Sequence, residues 1–254
     1  MAERDSANRE HEEIDETRVE ELDAEARARR DAALARVRKL GDPVLRAKAL
    51  PVERFDEALR QETERMGELM TDALGIGLAA TQVGVMHRVL VYRAFAEDPI
   101  TALVNPELEW VSEDLETGSE GCLSLPGVHV EVERPAKVRV HAKDPDGRDV
   151  EIDAEGLEAR VIQHEIDHLD GILILDRISR EARREAMRAL REARESRPDQ
   201  PRPIERQPAE RPSAEVQSAE RPSAEVQSAE RPSAEVQSAE RQSAEVQPAE
   251  RQPA

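Results

Sequence analysis

An α+β fold is predicted by three features of the stretch from residue 37 to residue 179. Two short runs, 128–133 and 137–142, alternate their side chains with the period of a strand, and Asp144-Pro-Asp-Gly147 then supplies a turn that returns the chain along 150–153 as a hairpin. The period then becomes helical over 155–169, where Leu157, Val161, Ile162 and Ile166 share one side. Ahead of both, 52–74 places Phe55, Leu59, Met66, Leu69 and Met70 at mostly helical spacing. Antiparallel strands followed by helices argue against a doubly wound parallel sheet.

Taken in order, the first element is the amphipathic helix within 52–74. A loop of small residues, 75–84, separates it from the β-branched run 88–93, which reads as a strand. The two strands and the hairpin return follow. The helix at 155–169 packs its apolar side against the sheet, and a last helix from Ser179 to about Glu195 closes the ordered region.

The flanks differ in character. Residues 1–36 form a charged extension, dense in Glu, Asp and Arg with few large apolar side chains, expected to be helical or disordered. Residues 37–197 form the domain that carries the chemistry. Residues 198–254 read as a disordered low-complexity tail, in which AERPSAEVQS starts at Ala209, recurs at Ala219 and Ala229, and continues as AERQSAEVQP from Ala239. Each unit offers one Val, too little apolar surface to offset the entropy of ordering it, so the repetition does not predict a solenoid.

Composition limits the partners. The net charge is -19 over 254 residues, with a pI near 4.9, which disfavours broad binding to polyanions such as nucleic acid or an anionic membrane. No run of about 18 apolar residues exists, and the first thirty residues are charged. Neither a spanning helix nor a secretory signal is expected, and the chain is placed in the cytoplasm with no membrane partner. Cys122 is the single cysteine, so an internal disulfide is excluded. A buried hydrophobe, a nucleophile and a metal ligand remain as its readings.

The chemistry concentrates at three places. On the later helix, His164 and His168 lie four residues apart, so one turn of the same face presents two imidazoles to one cation. Glu165 sits beside the first of them and can act as general base and then acid toward a water that the cation acidifies. Two ligands hold a catalytic metal poorly, and Cys122 in EGCLS, with glycine beside the thiol and Pro126-Gly127 after it, is the candidate third. The third place is the loop GIGLAATQVG from Gly75 to Gly84. It lacks the Gly-Lys-Ser/Thr ending of a phosphate cradle. Its glycines let main chain approach a ligand, and Gln82 can offer an amide N–H to an oxygen gaining charge.

The three segments GIGLAATQVG, EGCLS and QHEIDHLDG, in this order, resemble the motifs of the peptide deformylases. The resemblance implies removal of the N-formyl group from the initiator methionine of nascent polypeptides with release of formate. It also implies antiparallel sheets surrounding a central metal-binding helix. Matched position by position, Cys122, His164 and His168 correspond to metal ligands and Glu165 to the acid/base. Gln82 and the backbone N–H of Leu123 correspond to oxyanion donors, and Ile76 and Gly77 to peptide contacts. The implied cofactor is one divalent ion, iron(II) first, with zinc, nickel or cobalt as substitutes; softness of the donors alone does not separate iron from zinc. The implied partner is a nascent polypeptide headed by formylmethionine; separately, the chain is expected to be a monomer.

Four readings stay open on sequence grounds. Arg134 either reaches the cleft mouth or is a solvated strand-end side chain. Arg177, Arg180, Arg184, Arg188 and Arg191 form either a basic stripe that docks on ribosomal RNA or an ordinary face paired with neighbouring glutamates. The His-Glu pattern is shared with zinc peptidases, although no good third ligand follows His168. A non-catalytic, metal-stabilised scaffold is the alternative outside enzymes.

Overall fold

The computed structural model of the chain describes residues 23–195. Helix α1 (Ala24–Arg36) starts at Asp23, whose side chain accepts from the Ala26 N–H, and ends by burying Ala33 and Leu34. That last turn packs on α2 (Glu57–Asp72), so buried packing begins a few residues before Val37. Asp56 caps α2 by accepting from the Ala58 and Leu59 N–H groups. Along α2, Leu59, Met66, Leu69 and Met70 turn inward, as their spacing predicts.

Five strands form one antiparallel sheet in the order β1 (Gly77–Ala79), β2 (Val89–Tyr92), β3 (Thr101–Val111), β6 (Lys137–Lys143), β7 (Asp149–Glu155). Among the described residues, strands β4 (Leu115–Gly121) and β5 (His129–Pro135) pair only with each other, as a second sheet. Helix α3 (Gly156–Leu169) follows β7 directly, and α4 (Arg180–Glu195) follows a short 3-10 turn, Ile174–Asp176.

Strand alternation in β2 decides the layering. Val89 and Val91 point into the core beneath α1 and α2, whereas Leu90 and Tyr92 point to the opposite face, where α3 contributes Ile162, Ile166 and Leu169. The sheet is therefore buried on both sides at its centre. A third core lies under the β4–β5 hairpin, where Val130 and Val132 meet Ala186 and Leu190 of α4. The α+β class and the helix set between antiparallel sheets are as predicted. Among the described residues no helix is long and apolar enough to cross a membrane.

Three strands escape the sequence reading. In β3, Asn105 adopts φ 54°, Pro106 follows it, and the register with β6 shifts there, so the alternation is interrupted. Asn105 is held by reciprocal hydrogen bonds with the Val52 backbone, each 2.8 Å. Strand β4, LETGSEG, has a single large apolar side chain. Strand β1 is three residues inside the loop of small side chains. The hairpin turn forms as expected: Asp144 Oδ1 accepts from the Asp146 and Arg148 N–H groups, and Gly147 takes φ 86°.

Candidate metal centre

Three pieces of backbone deliver the site. Cys122 follows β4 directly, Gln82 lies in the 3-10 turn (Ala80–Val83) after β1, and His164, Glu165 and His168 ride on α3. Every residue from Val161 to Leu169 is buried. This helix is wedged between the sheets rather than laid on one, so its polar side chains face a protein interior.

The candidate ligand atoms of Cys122, His164 and His168 lie within 4.8 Å of one another. Cys122 Sγ is 3.2 Å from His168 Nε2. His164 Nδ1 is 2.9 Å from Glu120 Oε2, which leaves Nε2 to face the thiol. The two rings stand edge-on, with centroids 5.0 Å apart. Among the described residues, Glu165 Oε2 and His168 Nδ1 are buried without a hydrogen-bond partner.

The electrostatics call for positive charge. Burial alone would raise the Cys122 thiol, but His168 and His164 outweigh it and hold the thiol well below its ordinary range. Burial likewise favours neutral His164, and the hydrogen bonds to Cys122 and Glu120 overcome it, holding the imidazole charged well above its usual value. Burial pushes the Glu165 carboxyl up, against the pull of His164 and His168. Arg134 and Arg160 already answer Glu120, so what stays uncompensated in this desolvated pocket is the Cys122 thiolate and the Glu165 carboxyl, beside two imidazoles that ligate a cation in their neutral form. A divalent cation satisfies that demand with one charge centre, and one sulfur with two ring nitrogens is a fitting donor set with a position left open.

Gln82 is oriented by its neighbours. Its Oε1 accepts from the Ala79 N–H at 2.8 Å, so Nε2 faces the site, donating to Ser124 Oγ at 3.2 Å and lying 3.8 Å from Cys122 Sγ. Leu123 continues from the thiol; its carbonyl accepts from Lys39 Nζ at 2.9 Å, and its side chain occupies the space that a Cβ on Gly75 would need. Ile76 and Gly77 lie at the open edge of the five-stranded sheet, where β1 pairs only with β2. A Cβ built on Gly77 would meet Glu165 Oε1 at 2.3 Å, so glycine there is what lets the carboxylate approach β1. The structure thus brings together Cys122, His164, His168 and Gln82, and sets Glu165 against Gly77.

The sequence reading missed the support behind the ligands. Arg134 is 3% exposed and neither reaches the cleft mouth nor meets solvent. Its guanidinium forks onto Glu120 at 2.6 and 2.9 Å and donates to Asp167 at 2.9 Å. Those hydrogen bonds, with the one from His164, overcome burial and keep the Glu120 carboxyl well below the usual range. Asp167 also receives Arg177, which lies ahead of α4 and is tied down rather than free to join a basic stripe. A signal for this network was present: an aspartate directly before His168 on an inward helix requires a buried partner.

One sulfur and two imidazoles that could hold a metal ion, beside a buried carboxylate oxygen without a partner among the described residues, are the arrangement a metal-dependent hydrolase needs. The comparisons narrow the class. The family model described as polypeptide deformylase matches residues 34–184. A peptide deformylase of Thermotoga neapolitana is 50% identical over 143 residues, 56% of this chain and 86% of that protein. One from Parafrankia is 44% identical over 153 residues, 60% of this chain and 83% of that one. Among solved structures, the peptide deformylase of Synechococcus elongatus in complex with actinonin is 45% identical with a TM-score of 0.58, covering 62% of this chain and 86% of that one. That of Legionella pneumophila is 40% identical with a TM-score of 0.61, covering 65% and 98%. The chain belongs to the peptide deformylase family. It is a metal-dependent hydrolase that removes the N-formyl group from nascent polypeptides.

Proposed function

We propose that Cys122, His164 and His168 hold the catalytic ion, that Glu165 moves the protons, and that Gln82 and the Leu123 amide receive the oxyanion. The observation that carries this reading is the convergence of the three ligand atoms within 4.8 Å beside a buried, partnerless carboxylate oxygen. A divalent cation bound there supplies Lewis acidity and a water activated near neutral pH. Glu165 takes the proton of the attacking water, and the upward push of burial on its carboxyl brings it toward the range where a general base works well. The tetrahedral oxygen is met by Gln82 Nε2 and the Leu123 N–H, donors of a kind typically worth about 3 kcal/mol each to the barrier. Glu165 then returns the proton to the departing amine, and formate leaves.

Substrate binding uses the edge of β1. Main-chain groups at Ile76 and Gly77 extend the sheet by one peptide strand, while Ile76 supplies apolar contact for the methionine. A narrow cleft that admits formyl and rejects acetyl accounts for the choice of acyl group; comparable cleavage of N-acetyl and N-formyl peptides would contradict it. Iron(II) is the proposed native ion, with zinc, nickel or cobalt able to replace it; metal analysis after purification without oxygen tests this. The catalytic unit is placed at 37–197, between a charged extension at 1–36 and a repeat tail at 198–254; residues 1–22 and 196–254 lie outside the described residues. We place the enzyme in the cytoplasm as a monomer. Exposed Arg180, Arg184, Arg188 and Arg191 on α4 support docking on ribosomal RNA; replacing them with glutamate should abolish co-sedimentation with ribosomes, and retained co-sedimentation refutes it.

The deciding experiment compares the parent with Glu165→Ala in formate release from formyl-Met-Ala. The expected loss in kcat is on the order of 10²–10⁴-fold with metal content unchanged. Equal rates would remove Glu165 from the chemistry, and cleavage of an unblocked peptide instead would favour a peptidase.

A further inference from the structure

The ligand set is divided between two sheets that share no strand pairing. Cys122 follows directly on β4 of the two-stranded sheet, whereas His164 and His168 belong to α3, which packs on the five-stranded one. The distance from the thiol to the imidazoles is therefore set by whatever fastens the β4–β5 hairpin to α3. Arg160 stands out among those fastenings. It lies on α3 one turn before His164, with its side chain only 12% exposed.

Its guanidinium reaches both strands at once. Nη1 donates to the Val132 carbonyl of β5 at 2.8 Å and to Glu120 Oε1 at 2.9 Å, with the Gly118 carbonyl at 3.5 Å; Nη2 donates to the Glu116 carbonyl of β4 at 2.8 Å. One side chain thus grips the backbone of the strand that leads into Cys122 and the carboxylate that orients His164. A planar fork with several donors in fixed geometry can do this, and an ammonium cannot.

We propose that Arg160 is a positioning residue that registers Cys122 against His164 and His168, and so sets the affinity and geometry of the metal centre without touching the ion. This rests on the ligand assignment given above. Arg134, on β5, also fastens the hairpin to α3 through Asp167, but its bonds go to the Glu120 and Asp167 side chains, whereas Arg160 holds the β4 backbone that leads into Cys122.

The test uses the full chain loaded with cobalt(II), in the parent and in Arg160→Met, Arg160→Lys and Cys122→Ser. Three readouts are taken: cobalt affinity by chelator competition, the sulfur-to-cobalt charge-transfer absorption, and thermal melting of the metal-free protein, with affinity measured well below each melting temperature. Arg160→Met should bind cobalt about 10–100-fold more weakly, the range for loss of a group that orients ligands, with a shifted or weakened sulfur band. Arg160→Lys should fall between Met and the parent. Parental affinity and an unchanged band in Arg160→Met overturn the proposal, even if melting drops, because the arginine would then only hold the hairpin. If Arg160→Met does not fold, Arg160→Lys decides: parental affinity overturns the proposal and weakened binding supports it. A sulfur band that persists in Cys122→Ser would instead overturn the ligand assignment itself.

Discussion

Substituting Gly77 by alanine should lower the enzyme's activity on the order of 10²-fold while leaving its fold intact. The added Cβ would lie 2.3 Å from Glu165 Oε1, 2.8 Å from Cδ and 2.9 Å from Cγ. Real Cβ contacts essentially never fall below 3.0 Å, so the carboxylate must retreat by about 0.7 Å or more. Helix α3 cannot yield as a unit, because Ile162 and Leu169 are fully buried against the sheet. The displacement therefore falls on the Glu165 side chain, whose Oε2 has no hydrogen bond to resist it. A misplacement near 1 Å costs on the order of 10²-fold in rate, equivalent to about 2.7 kcal/mol in the barrier. Gly77 does not occupy the left-handed region, so alanine adds no backbone strain, and stability should hold or rise by about 0.5–1 kcal/mol. The assay is kcat/KM for formate release, with bound metal and the melting temperature measured in parallel. Parental kcat/KM at equal metal content would refute the account of Gly77 as the space that Glu165 needs.

Other perturbations have equally definite outcomes. Arg134→Met takes the fork from Glu120 and one of two guanidinium partners from Asp167, leaving Arg160, His164 and Arg177 to hold them, and should cost about 1–3 kcal/mol in urea unfolding; a loss under about 1 kcal/mol would show that the network is not structurally required. Asp176 accepts from Arg46 and from the Leu173 N–H, which overcome partial burial and hold its carboxyl below the ordinary 3.8. A depressed folded value means stability that is present above pH 3.8 and fades as pH falls through the folded value, so the gap between parent and Asp176→Asn should close in that acid window. A gap independent of pH would contradict this. Stripping the ion with a chelator should abolish formate release, and adding iron(II), cobalt(II) or nickel(II) should restore it; full activity in metal-free protein would exclude the centre described above.

What the sequence revealed follows from the range of the forces involved. The paired histidines were legible because helical period is local: Val161, Ile162 and Ile166 announce an inward face, and His164 and His168 share it. The hairpin through Asp144 and Gly147 was legible for the same reason, since turn chemistry resides in four adjacent residues. Cys122 gained its meaning from the motif around it and from the other two segments, not from periodicity. Strand β3 stayed hidden because Asn105 and Pro106 interrupt its alternation, and their support comes from Val52, 53 residues away in sequence. The bracing of the centre stayed hidden for a related reason. Arg134 meets Glu120 and Asp167 across separations of 14 and 33 residues, and Arg160 meets Glu116 across 44. Nothing local distinguishes such arginines from solvated ones until the two sheets are brought together.

The single thiol of this chain is also the sulfur of the proposed metal centre. Any reagent selective for thiols, such as a maleimide or a mercurial, is therefore directed to that centre without further engineering. The rate at which such a label attaches reads out occupancy by ion or inhibitor, because no second site competes for it.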